Sequence, residues 1–116
     1  MPIYGTFTLP TALNPGDQLT LWNAEAPATI PARSIAFCRA PGAGQSGPTP
    51  MMFTIQAAAA TVEIQGSNDD VPANYQTLYT TTNLADDFYE DAGSFAFYSV
   101  LITSLSSGKV TVKVQR

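Results

Sequence analysis

The stretch "VEIQGSNDDVPANYQTLYTTT", residues 62–82, reads as two strands joined by a polar corner. Val62 and Ile64 alternate with polar residues, which is the period of two typical of a half-buried β-strand. The "GSNDD" corner at 66–70 combines a glycine, which permits positive φ, with short side chains that bond to nearby backbone amides. The stretch therefore predicts two antiparallel strands and a turn, and nothing in it demonstrates a binding site.

The same alternation recurs along the chain. It is clearest in "KVTVKVQ", residues 109–115, where the three valines share one face and Lys, Thr and Lys share the other. Further strands are predicted at 3–9, 17–22, 34–38, 52–56, 61–66, 75–80 and 95–103. About eight short strands separated by turn residues are typical of an antiparallel sandwich or barrel. We expect an all-β fold, namely an antiparallel β-sandwich of jelly-roll type that forms a single domain over 1–116.

Some segments carry more specific expectations. Ser34–Cys38, "SIAFC", is continuously apolar after its serine, as in a strand that is buried on both faces, and Cys38 is expected to be a core thiol. Two Pro-rich connections stand out, Ala24–Arg33 and Arg39–Pro50, and long crossovers of this kind suit a Greek-key or jelly-roll topology. The second is long enough to be functional or disordered, and Pro48 and Pro50 at its end predict a stiff, extended arm.

An acidic cluster lies in the segment 83–93. Its members are Asp86, Asp87, Glu90 and Asp91. The segment also holds the one helical pattern, a turn or two between a cap at Asn83 and an end at Gly93. Clustered carboxylates are ligands for Ca²⁺, but the spacing is not that of an EF-hand loop and no glycine marks a sharp turn in the middle. A solvated acidic loop, or a patch that meets a basic partner, is therefore favoured over a cation site.

Composition excludes several function classes. The chain of 116 residues has no histidine, which removes the commonest general base and metal ligand and makes a Ser–His triad impossible. It also lacks a Gly-rich phosphate loop, and the Asp69–Asp70 pair is ordinary turn chemistry. We therefore expect no enzyme, no catalytic residue, no cofactor and no metal site. Five basic residues in a chain of net charge −4 argue against nucleic acid as a partner.

The low charge content points towards assembly. Only 12% of the residues are charged, against about 25% in an ordinary soluble domain. Surfaces poor in Lys, Glu and Asp are easily desolvated and are typical of interface cores. An ordinary β domain of low charge explains the composition nearly as well. The first ten residues show no secretory signal and no apolar run approaches the ~20 residues of a membrane span, so no membrane partner is expected.

Trp22 is the only tryptophan and ends the predicted strand 17–22, on the face opposite Leu19 and Leu21. If it points outward, it offers a platform for sugar stacking or an interface anchor. Packing against one end of the sandwich, beneath the Pro-rich crossover, is the favoured alternative.

The block 62–115 resembles galactose-binding-like, or discoidin-like, β-sandwiches. In that pattern a strand ends in "I-x-G-S-x-D-G", and a Trp precedes the next strand. Four residues match it, namely Gly66, Ser67, Asn68 and Asp69. The chain departs from it at Asp70, where Gly is usual, and at Tyr75, where Trp is usual. The closing segment 95–116 is similar to the end of small virion proteins of tailed phages that carry the same signature.

This resemblance implies a role in binding, with no catalytic residues to carry over. It favours a head decoration (cement) protein, a structural virion protein on the capsid surface that is assembled in the host cytoplasm. The expected partners are the major capsid protein and further copies of the chain, as a dimer or trimer, with the 39–50 arm inserted at capsid seams. The alternatives are a tail or neck component, and a carbohydrate-binding module that uses Trp22 or Tyr75 against host glycans.

Overall fold

The computed structural model describes residues 11–13, 16–39, 50–69, 71–82, 87–91 and 95–116. Eight strands lie within these residues: β1 Thr11–Leu13, β2 Gln18–Glu25, β3 Ala32–Arg33, β4 Phe37–Arg39, β5 Met51–Ser67, β6 Gln76–Thr81, β7 Asp87–Asp91 and β8 Phe97–Gln115. A short 3₁₀ helix, Pro72–Asn74, connects β5 to β6. The prediction of an all-β fold is confirmed.

Two long strands organise the sheet. β5 has 17 residues and β8 has 19, and they pair antiparallel from Met52 opposite Gln115 to Ser67 opposite Phe97. The sequence predicts each of them as two separate strands, because "AAAA" and "SSGK" interrupt the alternation. Each is continuous in the structure, since pairing with the other long strand overrides the weak β-propensity of the interrupting residues.

The register between β5 and β8 shifts part-way along. Ala57 pairs with Val110 and Val62 pairs with Ile102, so β8 uses more residues than β5 over this interval. Gly108 lies in the longer stretch with φ of 79°, a left-handed conformation in which glycine has no steric cost. On β5 the buried positions change from odd to even numbers: Met51, Phe53 and Ile55 before the shift, and Ala60, Val62 and Ile64 after it. Such bulges bend a strand and exchange the faces that its side chains occupy.

The bend divides the sheet into two halves. The first half-sheet consists of β2, the end of β8, the start of β5, and β7, in that order. The second half-sheet places β3 and β4 beside the start of β8, and β6 beside the end of β5. β1 adds to β4 in parallel, so the sheet is mixed rather than purely antiparallel as predicted. The jelly-roll topology stays a prediction.

The core lies between the two half-sheets. Phe53 of the first half-sheet approaches Phe37 and Tyr98 of the second, with ring centroids 6.1 and 6.4 Å apart, and all three residues are fully buried. The valines at 110, 112 and 114 point into the same core, as the alternation predicts. The two halves therefore pack face to face as a sandwich built by folding one sheet over.

Two predicted elements are wrong. In the 34–38 segment the strand begins only at Phe37, because Ser34 forms a ladder-like pair with Val100 through both its N–H and its hydroxyl, each at 2.9 Å. Ile35 turns outward and is 57% exposed, and Cys38 is only half-buried. The helical turn in 83–93 is replaced over its described part by β7, which pairs with Met51–Ile55 of β5. The predicted strand 3–9 lies outside the described residues.

The position of Phe53 between the half-sheets gives a stability prediction. Phe53→Ala should lower the free energy of unfolding by about 3–5 kcal/mol, because it removes a buried ring and leaves a cavity. The matched control is Phe88→Ala on β7, where the ring is 65% exposed, and a change within about 0.5 kcal/mol is expected. Urea denaturation of the two variants measures the difference. Equal losses would contradict the assignment of the core.

Candidate functional site

The polar corner after β5 is occupied by its own hydrogen bonds. The Asp69 carboxylate accepts bonds from the Ser67 hydroxyl at 2.8 Å, the Val71 N–H at 3.2 Å and the Asn74 amide at 2.7 Å. These bonds, led by that from Ser67, lower the pKa of Asp69. The Asn68 side chain accepts a bond from the Ala96 N–H at 3.2 Å, which ties the corner to the start of β8. The corner is thus a structural turn whose carboxylate is already committed.

The acidic segment is split by strand alternation. Within β7, Asp87 and Asp91 are half-buried towards the interior, whereas Glu90 is exposed on the opposite side. Asp86 lies outside the described residues. In the parts of the chain that the structure describes, no three acidic or cysteine side chains group together as metal ligands. A strand therefore separates carboxylates that a loop or helical turn would have gathered.

Tyrosine hydroxyls engage the two inward carboxylates. Asp91 accepts hydrogen bonds from Tyr89 at 2.8 Å and from Tyr98 at 2.7 Å. Asp87 accepts one from Tyr79 of β6 at 2.5 Å, and the Tyr79 and Tyr89 rings stack with centroids 4.9 Å apart. We call these five residues the tyrosine–aspartate seam. It joins β6 of the second half-sheet to β7 of the first.

The seam shifts the pKa values of its members. Burial, followed by the bond to Asp91, raises the pKa of Tyr89 to about 12 and also raises that of Tyr98. The bond to Asp87 raises the pKa of Tyr79, while bonds from Thr81 and Tyr79 lower the pKa of Asp87. The shifts widen the pH range over which the tyrosine hydroxyls donate and the Asp87 carboxylate accepts, at the alkaline end for the tyrosines and at the acidic end for Asp87.

Trp22 belongs to the interior. Its side chain is 9% exposed, and its indole N–H donates to the Val100 carbonyl of the second half-sheet at 3.2 Å. A register shift between Thr20 and Trp22 places both Leu21 and Trp22 in the core, although they are adjacent in sequence. Trp22 is therefore a packing residue that joins the two half-sheets, in line with the favoured alternative, and it offers no outward platform.

The predicted arm lies mostly outside the described residues. Arg39 is placed only through its backbone, as the last residue of β4 opposite Leu13 of β1. Pro50 is exposed just before β5, and Pro48 is not among the described residues. The proposed role of this arm at an interface stays a prediction.

A feature that the sequence did not single out is the outward side of the first half-sheet, which we call the first outer face. It consists of Gln18, Thr20, Met52, Thr54, Gln56, Phe88, Glu90, Thr111, Lys113 and Gln115. Among these ten residues only Glu90 and Lys113 carry a charge. Alternation within "MMFTI" and "DFYED" was the available signal, but assigning 83–93 to a helical turn concealed the second of these.

The first outer face contains a groove. Its volume is about 440 Å³, and it is lined by Met52, Thr54, Asp87 and Phe88. The pairing register places Phe88 beside Thr54, and Thr54 beside Lys113 of β8. The Phe88 ring is 65% exposed and forms one wall. The groove therefore offers apolar contact on an otherwise polar, nearly uncharged sheet.

The second half-sheet carries a different outward cluster. The Arg33 guanidinium donates to the Ser99 hydroxyl at 2.6 Å and lies 4.5 Å from the centre of the Tyr75 ring. Gln65 donates to Glu63 and to Thr77, each at 3.0 Å, and its Oε1 is buried with no hydrogen-bond partner. Ser99 and Gln65 point away from the core yet are buried, so other side chains must cover them on this face.

No family model, curated protein or solved structure matches this chain. Among the described residues there is also no helix long and apolar enough to span a membrane.

The seam gives a prediction for alkaline pH. The pKa values of Tyr79, Tyr89 and Tyr98 are raised in the folded state, so their contribution to stability is complete below about pH 10, the unfolded value. It is lost as the pH rises through the folded values, which for Tyr89 is about 12. We expect alkaline unfolding in this window and a class of three tyrosines that ionises only with it.

Tyrosinate absorbance and circular dichroism, recorded on the same samples, measure the two events. Tyr98→Phe is the matched variant, since it removes one member and should reduce the late absorbance step by a third. Ionisation of all five tyrosines before any loss of structure would contradict the seam.

Proposed function

We propose that this protein is a structural virion protein that binds the outside of a tailed-phage capsid and stabilises it. The observation that carries the proposal is the first outer face, a four-stranded surface whose ten residues include two charges and an exposed Phe88. Such a surface loses little hydration energy when it is covered, which suits burial in an assembly. The resemblance of the closing segment 95–116 to small virion proteins of tailed phages indicates that this assembly is a phage capsid.

The mechanism is adhesion. Many copies would lie across seams between capsid subunits, and each contact of standard size would bury about 1,200–2,000 Å² in total. Self-association would add avidity, because a copy that is held by a neighbour rebinds at high effective concentration. The carboxylates and hydroxyls that are committed to the seam and to the corner support a role in binding rather than chemistry.

The number of copies in each particle tests this proposal. Quantitative mass spectrometry of purified virions from the source should find a copy number comparable to that of the major capsid subunit. A number lower by an order of magnitude or more would instead indicate a tail or neck component. Absence of the chain from particles would overturn the virion role altogether.

A carbohydrate-binding module is the second candidate, favoured by the outward cluster around Tyr75. Arg33, Glu63 and Thr77 supply donors and acceptors beside an aromatic ring. Trp22 is no longer part of this candidate, because it is buried.

This candidate predicts saturable binding of host glycans that Tyr75→Ala abolishes and Phe88→Ala leaves unchanged. Calorimetric titration with monosaccharides and with glycans of the host surface measures it. Attachment to capsids should survive Tyr75→Ala if the structural proposal is correct.

A further inference from the structure

We propose that the first outer face is a two-fold interface with a second copy of this chain, in which Lys113 of each copy enters the groove of the other and its ammonium group meets Glu90. The inference deepens the proposed function, on which it rests for the expectation of self-association. It names the surface and the ion pair that hold two copies together.

Glu90 and Lys113 of this face do not pair with each other within one chain. Glu90 lies opposite Met52, and Lys113 lies opposite Thr54, so β5 separates them and their positions differ by two residues along it. Because two strand spacings separate β7 from β8, the Cα atoms of Glu90 and Lys113 are roughly 10 Å apart across the sheet, and the offset along β5 increases this distance. Neither side chain makes an ion pair or hydrogen bond with another described residue. Each is therefore a charge that the chain itself leaves without an oppositely charged partner among the described residues.

A two-fold axis brings these charges together. The two-fold axis runs parallel to β5 and lies midway between the first outer faces of the two copies, which are stacked on each other. It then exchanges β7 with β8, so that β7 of one copy lies over β8 of the other. Lys113 of one copy is thereby placed above Phe88 of its partner, two residues or about 7 Å along β7 from Glu90, a distance that an extended lysine side chain spans. Two-fold interfaces are self-complementary in this way, and every such contact occurs twice.

The groove fits the Lys113 side chain that the two-fold rotation places over it. Lysine has a long apolar stem and a charged end, and the stem packs along apolar surface while the ammonium stays near polar groups. Met52 and Phe88 provide the apolar walls, and Asp87 borders the groove at the end of β7. An ammonium over an exposed aromatic ring gains a further cation–π attraction.

The buried area of the interface sets the expected affinity of the dimer. The overlap of β7, β5 and β8, with about six residues each, covers on the order of 300 Å² per copy, which is less than half the area of a standard interface. The isolated dimer should therefore be weak and reversible, and high local concentration on a particle would strengthen it. Direct contact between bare carboxylates is avoided, because Glu90 faces the β8 side of the partner.

Charge reversal tests the interface in the purified chain. Sedimentation velocity over a concentration series should show a monomer–dimer equilibrium that Lys113→Glu and Glu90→Lys each weaken by about tenfold or more. The double variant exchanges the charges and should restore most of the affinity. Gln76→Glu, which adds a carboxylate at an exposed position of β6 in the other half-sheet, should have no effect.

A carbodiimide, which couples an amine to a carboxylate, provides a second readout. Peptide mass spectrometry should find Lys113 joined to Glu90 between isotopically distinct copies. A chain that stays monomeric to its solubility limit, or a dimer that is indifferent to both reversals, overturns the inference. These measurements use no virions, so absence of the chain from particles would refute the virion role and leave this result standing.

Discussion

The antiparallel pairing of β5 with β8 is the constraint on which the rest of the structure depends. Both strands are long enough to serve two layers, and the register shift between Ala57 and Val62 bends them at the same place. Every other strand then attaches to one half or the other, and the aromatic cluster around Phe53 fills the space between them. Because both layers share two continuous strands, loss of packing in one layer is transmitted directly to the other.

Side-chain hydrogen bonds join the two layers at edges where no backbone hydrogen bonds connect them. On the β5 side, edge strands β6 and β7 belong to different layers, and the tyrosine–aspartate seam connects them through partly buried, charge-assisted hydrogen bonds. On the β8 side, Trp22 donates across the layers to Val100. Side chains that would suggest chemistry in a sequence, namely paired acids, tyrosines and a lone tryptophan, are thus used to hold two layers together.

The alternating patterns predicted the fold class and the inward faces, because the period of two follows directly from strand geometry. Val110 and Ile64 are examples of residues whose inward position the alternation predicted. Continuity of β5 through its alanines was not predictable, since it depends on a partner distant in sequence. The burial of Trp22 beside Leu21 results from a bulge, and the strand at Asp87–Asp91 results from pairing with β5, so neither follows from local pattern. The first outer face was missed for the same reason, because its residues meet only across strands.

The chain has few charged residues, and the structure shows which of them remain available for recognition by a partner. Asp69, Asp87 and Asp91 are all engaged in hydrogen bonds within the chain. The few charges that remain on an outward surface therefore decide how that surface is recognised, because uncharged Thr and Gln side chains distinguish partners weakly. On the first outer face one cation and one anion stand on opposite sides of β5, an arrangement that its two-fold image completes. A face with so few charges gains specificity from where they are placed rather than from their number.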